Sequence, residues 1–135
     1  MAITDKEKGV WGLEEVYNKI NQGGIWNYDT SITGLFSWGR NWGGALGVPG
    51  AARSSPTQVG TDSTWKWLAG FAGYNTMAGK RDGTMWGWGK NESGLIGYNL
   101  APVSGARSSP MQVGTDTNWK YAVAGTYVSI ALKTD

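Results

Sequence analysis

The chain has 135 residues, 12 basic and 10 acidic side chains, a formal charge of +2, and neither cysteine nor histidine. One domain's length is implied, while disulfides, thiolate or imidazole metal sites, cysteine nucleophiles and histidine bases are excluded. No lysine or arginine run forms the stripe that a phosphate backbone would require, so nucleic-acid binding is not expected; 22 glycines, 9 tryptophans and 6 tyrosines point to short strands joined by tight turns.

The chain opens with MAITDKEKGVWGLEEVYNKI, whose mixed charges and lack of a continuous apolar core fit neither a secretory signal nor a membrane span. A soluble protein made in a cytoplasm is expected. Leu13, Val16, Tyr17 and Ile20 fall at i, i+3, i+4 and i+7, one face of a short amphipathic helix that Gly23-Gly24 would end. So short a helix is marginal in water without a surface to lie on. It is expected to dock on a partner or sister subunit, with Trp11 and Trp26 joining those four residues at that interface. GIWNYDTSITG, Gly24 to Gly34, reads as an extended linker.

Beyond the linker the chain repeats itself. LFSWGRN (Leu35–Asn41) returns as MWGWGKN (Met85–Asn91), ARSSPTQVGTDSTWKW (Ala52–Trp67) as ARSSPMQVGTDTNWKY (Ala106–Tyr121), and YNTMAGKRD (Tyr74–Asp82) as YVSIALKTD (Tyr127–Asp135). The extra residues of the second copy fall in Tyr98–Gly105. Three collinear matches define two units of roughly 50 residues. Each unit reads as about four strands: the Trp-Gly strand with its aromatic face (Phe36 and Trp38, then Trp86 and Trp88), a short Gln-Val-Gly strand after a turn at Arg-Ser-Ser-Pro, then Trp65–Ala69 and Tyr74–Lys80. Ala69, Gly70, Ala72 and Gly73, with Ala122, Ala124 and Gly125, suit a strand crowded against copies of itself. Arg81–Thr84, RDGT, is a turn linking one unit to the next.

These blocks resemble the RCC1 family. Trp38-Gly39, Asn41, Gly44–Gly47, Ser55-Pro56, Val59, Trp65 and Gly73–Gly83 carry the likeness in the first unit. Trp88-Gly89, Asn91, Gly94–Gly97, Ser109-Pro110, Val113, Trp119 and Tyr127–Asp135 carry it in the second. The resemblance implies a mainly β fold: two propeller blades of four-stranded antiparallel sheet, preceded by the short helix and linker, within a larger or oligomeric assembly. The divisions expected are a leader at 1–32, one blade at 33–82 and another at 83–135. Two blades are fewer than the four to eight of closed propellers. Further blades are therefore expected from other chains or from a longer protein, and a halt at Lys-Thr-Asp, where Gly-Thr would open the next unit, fits the latter. The family's glutamine in its Gly-Gln-Leu-Gly block is Ala45 and Leu95 here, and its guanine-nucleotide exchange activity is not carried over. Asp5–Trp26, with Gly-Val-Trp-x-Leu-x-x-Val-Tyr-Asn-Lys, is similar to the leader of structural proteins of tailed marine bacteriophages.

Function then follows by weighing each feature against its architectural reading. Trp38, Trp65, Trp88 and Trp119, at matched positions, are read as core rather than sugar-stacking platforms. Trp42 is matched by Glu92 and is expected at the surface or an interface. Arg53 and Arg107 are candidate surface contacts, although the Arg-Ser-Ser-Pro segments read first as turns. Asp62 with Asp116, and Asp82 with Asp135, recur in turns and are read as structural rather than as a glycosidase pair. Gly43–Gly47 precede Val48-Pro49-Gly50, not the helix a dinucleotide fingerprint needs. The expectation is a non-enzymatic virion protein of a tailed bacteriophage, in its tail or fibre, with no catalytic residue, cofactor or metal. Its partners would be other virion proteins, further copies of itself (most simply a trimer giving six blades) and a host-surface glycan, with no nucleic acid and no membrane insertion. The rival is a lectin-like module oligomerising into a closed propeller.

Overall fold

A computed structural model describes residues 32–69, 73–98 and 105–135. The amphipathic segment, and with it Trp11, Leu13, Val16, Tyr17, Ile20 and Trp26, lies outside the described residues. Eight strands follow in order: β1 Phe36–Gly39, β2 Arg53–Gln58, β3 Trp65–Leu68, β4 Asn75–Lys80, β5 Met85–Gly89, β6 Arg107–Gln112, β7 Trp119–Ala124 and β8 Ser129–Lys133. All pairings between them are antiparallel. No helix among the described residues is long and apolar enough to cross a membrane.

Four strands per unit is what the sequence implies, but the sheets are out of phase with the repeat. The complete sheet is β3-β4-β5-β6, built from the second half of one unit and the first half of the next. On either side stands a two-stranded half-sheet, β1-β2 before it and β7-β8 after it. The hinge of this arrangement is the turn at Asp82-Gly83-Thr84. The Asp82 carboxylate accepts bonds from the Thr84 hydroxyl at 2.7 Å and the Thr84 amide at 3.0 Å. Gly83 has φ +82°, and a Cβ there would lie 1.8 Å from the Thr117 carbonyl oxygen. Only glycine fits. The Thr84 hydroxyl, followed by its amide and the charge of Lys80, holds the Asp82 carboxyl below its ordinary value of 3.8 against a smaller opposing effect of burial. The stabilisation is therefore complete above that ordinary value and is lost as pH falls through the lower folded-state value.

The Arg-Ser-Ser-Pro segments are not turns. They form the first four residues of β2 and β6. Proline is tolerated because it falls inside a bulge: Ser37 opposes Thr57 and Gly39 opposes Arg53, so two steps on β1 face four on β2, and Gly87–Met111 with Gly89–Arg107 repeats the offset. A residue without an amide hydrogen sits where no ladder bond is asked of it.

The central pair β4-β5 is covered on both faces. Toward β1-β2, Trp65, Ala78 and Trp88 form one buried cluster with Leu35 and Trp86 packed against it. Trp65 meets Trp88 edge-on at 6.0 Å and Trp86 at 6.3 Å. Toward β7-β8, Met77, Met85, Val113, Ala69, Ala122 and Ala124 form a second. The small side chains Ala122 and Ala124 alternate with exposed Tyr121 and Val123, which lets β7 approach β4 closely. Gly70 and Ala72 lie outside the described residues. A tryptophan placed like Trp88, 1% exposed, is worth about 3–5 kcal/mol against alanine.

Two of the four expected core tryptophans behave otherwise. Trp38 is 60% exposed, since among the described residues β1 has only β2 beside it, whereas Trp88 on the equivalent strand is flanked by β4. Trp119 is half-buried for the matching reason at the other end: it covers one face of the second cluster but is not enclosed by a complete sheet.

Between β1 and β2 the glycine-rich segment winds through a 3-10 turn, Trp42–Gly44, and its counterpart between β5 and β6 is Glu92–Gly94. Asn41 and Asn91 hold these loops from inside. The Asn41 side-chain amide donates to Val48 O at 2.9 Å and Gly50 O at 2.8 Å and accepts from Leu46 N; Asn91 donates to Tyr98 O and accepts from Ile96 N at 3.1 Å. Backbone groups that a loop would otherwise leave unpaired are thereby satisfied. Leu46 and Ile96 are pulled into the core as a result.

Lys80 is buried between the rings of Trp65 and Trp86, 5.1 and 3.6 Å from their centroids, and pairs with Asp62 at 2.9 Å. Lys133 repeats the device over Trp119 and pairs with Asp116, but its side chain is 41% exposed against 8% for Lys80. Losing the anion should matter only where the cation is desolvated. Asp62→Asn is expected to cost about 1–3 kcal/mol in urea unfolding and Asp116→Asn less than about 1 kcal/mol; equal costs would refute the assignment. Ser93 stands at φ +56° where the first unit has Gly43 at +61°. Ser93→Gly should accordingly raise stability by about 0.5–1 kcal/mol, the left-handed strain released less the entropy glycine adds to the unfolded chain, and a lowered denaturation midpoint would contradict this.

Candidate functional site

The turns and the segments leading into β4 and β8 meet along one line of side chains. The Arg40 guanidinium lies 4.5 Å from the Trp42 ring centroid, Trp42 and Tyr74 are tilted together at 5.6 Å, Lys90 Nζ lies 5.4 Å from the Tyr74 ring, and Lys90 pairs with Glu92 at 2.6 Å. Cation, ring, ring, cation and carboxylate thus follow one another in contact. Stacking each cation on a ring holds long side chains that would otherwise be free. Trp42 is 55% exposed, so much of its ring still faces solvent.

At the end of this line a cleft of about 140 Å³ opens among Tyr74, Asn75, Lys90, Glu92, Leu95 and Tyr127. Asn75 is buried, and its side-chain nitrogen makes no hydrogen bond to the protein. An unsatisfied buried donor costs about 1–3 kcal/mol; the Trp65 and Trp119 indoles and Arg107 Nε share that cost, but of these only Asn75 lines the cleft. The volume is below the roughly 300 Å³ of enclosed small-molecule pockets. A ligand would therefore lie across Tyr127 and Tyr74 rather than be engulfed. Aromatic faces beside a charged pair suit a polar molecule with one apolar side.

The candidates read from the sequence are not gathered here, Trp42 excepted. Arg53 turns back into its own loop, donating to Pro49 O at 2.9 Å and Ala51 O at 3.4 Å. Arg107 occupies the same place on β6, and its Nε is buried without a hydrogen-bond partner. Both arginines open a strand rather than sit in a turn. Tyr74, Asn75 and Lys90 were not singled out by sequence reasoning. One signal was available: Arg40 and Lys90 are basic at matched positions directly before the two clamp asparagines. No group of three or more acidic, cysteine or histidine side chains that could hold a metal ion gathers among the described residues.

A third arrangement ties unit to unit. The Ala45 carbonyl accepts bonds from Trp88 Nε1 and from Thr76 Oγ1, each at 2.9 Å. Gly47, at φ +70°, leaves the indole its space, since a Cβ there would stand 2.7 Å from Trp88 Nε1. In the following unit the Leu95 carbonyl accepts from Ser129 Oγ at 2.8 Å. A groove of about 450 Å³ runs beside it, lined by Leu95, Gly97, Val113, Trp119, Ser129 and Ile130 among others.

Comparison with known proteins bears on this architecture. Residues 82–132 match the model of the regulator of chromosome condensation (RCC1) repeat. No curated protein matches the sequence. Among solved structures, human WBSCR16 superposes with a TM-score of 0.65 at 22% identity, over 77% of this chain and 27% of that one. Yeast RCC1 (Prp20), in its crystal structure with Kap60, gives 0.59 at 24% identity over 74% and 26%. Prp20p from Saccharomyces cerevisiae gives 0.62 at 23% identity over 74% and 27%. The chain spans about a quarter of the length of each. At such identities the likeness concerns fold alone. Residues 82–132 are thus similar in sequence to an RCC1 repeat, and the described body of this mainly β chain has the antiparallel-sheet fold of RCC1-like β-propeller proteins.

Proposed function

We propose that the protein is a non-enzymatic structural component of a tailed bacteriophage virion, in the tail, fibre or another appendage, attached through its N-terminal segment and displaying RCC1-like repeats for assembly or host adhesion. The leader pattern from Asp5 to Trp26 supports the attachment half of this reading. The observation that carries the assembly half is the apolar surface of the two half-sheets: Phe36, Trp38, Val123, Val128, Ile130 and Leu132 are each more than half exposed. Exposed apolar side chains beside unpaired strand edges mark surfaces that another chain covers. A homo-oligomer follows, a trimer being the simplest count. Weak contacts repeated on such an assembly would combine through high effective concentration.

The lectin-like alternative draws on the cleft at Tyr74, Asn75, Lys90 and Tyr127, with Trp42 beside it. One experiment separates the two. Purified particles should contain the protein by mass spectrometry, and a variant lacking Met1 to Gly24 should fold yet fail to join them. Normal occupancy of the truncated form would eliminate the leader as anchor. A glycan-array signal that Trp42→Ala and Tyr74→Ala abolish, from a protein missing from particles, would favour the lectin.

A further inference from the structure

The two half-sheets are the two halves of the complete sheet. By repeat equivalence β7-β8 corresponds to β3-β4, and β1-β2 corresponds to β5-β6. Within the complete sheet β4 pairs with β5, Thr76 opposite Trp88, Met77 opposite Gly87 and Ala78 opposite Trp86. Among the described residues β8 is paired only with β7, and β1 only with β2. We propose that β8 of one copy pairs with β1 of a second copy, making the sheet β7-β8-β1-β2 across the junction, with Ser129 opposite Trp38, Ile130 opposite Ser37 and Ala131 opposite Phe36. This rests on the assembly half of the function proposed above and names its surface.

Three features at the β8 edge meet matching features of β1. First, the Leu95 carbonyl holds the Ser129 hydroxyl just as Ala45 holds Thr76, and in the complete sheet the second donor to that carbonyl is an indole, Trp88. Its counterpart is Trp38, 60% exposed, so Trp38 of the second copy brings the same donor to the groove beside Leu95 and Gly97. Secondly, Lys80 lies between two rings while Lys133 has Trp119 at 4.4 Å. Phe36, half exposed and equivalent to Trp86, supplies the second ring to Lys133. Thirdly, Ile130 is 64% exposed where its equivalent Met77 is buried against Met85 and Val113, and the second copy brings Leu35 and Val59, the equivalents of those two residues, to Ile130. Apolar burial, edge hydrogen bonds and a cation–ring contact thus coincide in one register. Each copy uses a different surface at its two ends, so the contact is head-to-tail and propagates to a ring or a filament.

The chain has no native cysteine, which makes register directly testable. Ser37→Cys and Ile130→Cys are placed on separate, otherwise full-length chains, which are mixed and mildly oxidised. Directly opposite residues lie within disulfide range, so a covalent pair should dominate. Ser37→Cys with Leu132→Cys, displaced diagonally by roughly 7–8 Å, should link at least tenfold more slowly. Equal linking of both pairs, or none, overturns the proposal, including the case of an oligomer held together elsewhere. Trp38→Ala should weaken self-association measured by light scattering on the order of thirtyfold with an unchanged far-ultraviolet spectrum, and unaltered self-association would also overturn it. Absence of the protein from particles would sink the virion reading while leaving these results intact, and a persistently monomeric chain would do the reverse.

Discussion

One carbonyl oxygen, that of Ala45, organises the interior. It receives the indole of Trp88 from the next unit and the hydroxyl of Thr76 from the strand beside it. A tryptophan this deeply buried would leave its N–H without a partner unless an acceptor stood at one exact place. That place is fixed by the loop, the loop is fixed by Asn41, and the space for the ring is left by Gly47. The seating of Trp88 therefore depends on an asparagine and a glycine in the loop of the preceding unit.

The repeat and its strands were legible in the sequence because matching blocks at nearly constant spacing carry alternating aromatic and small residues. Trp65 and Trp88 were recognisable as core on those grounds. Phase was not. Periodicity states how often a pattern recurs and leaves open where a hydrogen-bonded sheet begins, so a unit running from residue 33 to 82 can equally be one sheet or halves of two. The same ambiguity explains Trp38: its position in the repeat is a core position, but burial belongs to the neighbour, and the neighbour is not supplied by residue type. The Arg-Ser-Ser-Pro strands were obscured by proline and serine, whose turn preference is real for isolated segments and is overridden where a bulge absorbs the missing donor.

The surface line from Arg40 to Glu92 illustrates a further limit. Its members come from three places in the chain and are joined by ring–ring and cation–ring contacts that have no sequence period. Trp42 stood out because its counterpart is an acid. Tyr74 did not, since its counterpart Tyr127 is also tyrosine and a matched aromatic reads as architecture. Asn75 was hidden by its setting at the start of a buried strand, where its unpaired nitrogen becomes visible only once the surrounding hydrogen bonds are known. Function in a repeat protein concentrates at departures from the repeat, but not every departure involves a change of residue.

The half-unit offset between repeat and sheet also bears on how such a chain can lengthen or shorten over generations. Among the described residues both sheet-to-sheet connections run inside a sequence unit, and the unit-to-unit junction at Asp82-Gly83-Thr84 lies inside a sheet. Duplicating or excising one whole unit therefore leaves the same pair of half-sheets at the two ends, whichever residue the recombination breakpoint touches. The interior grows by one finished sheet and the exposed edges keep their identity. Copy number is free to drift while the terminal surfaces, and whatever recognises them, stay constant.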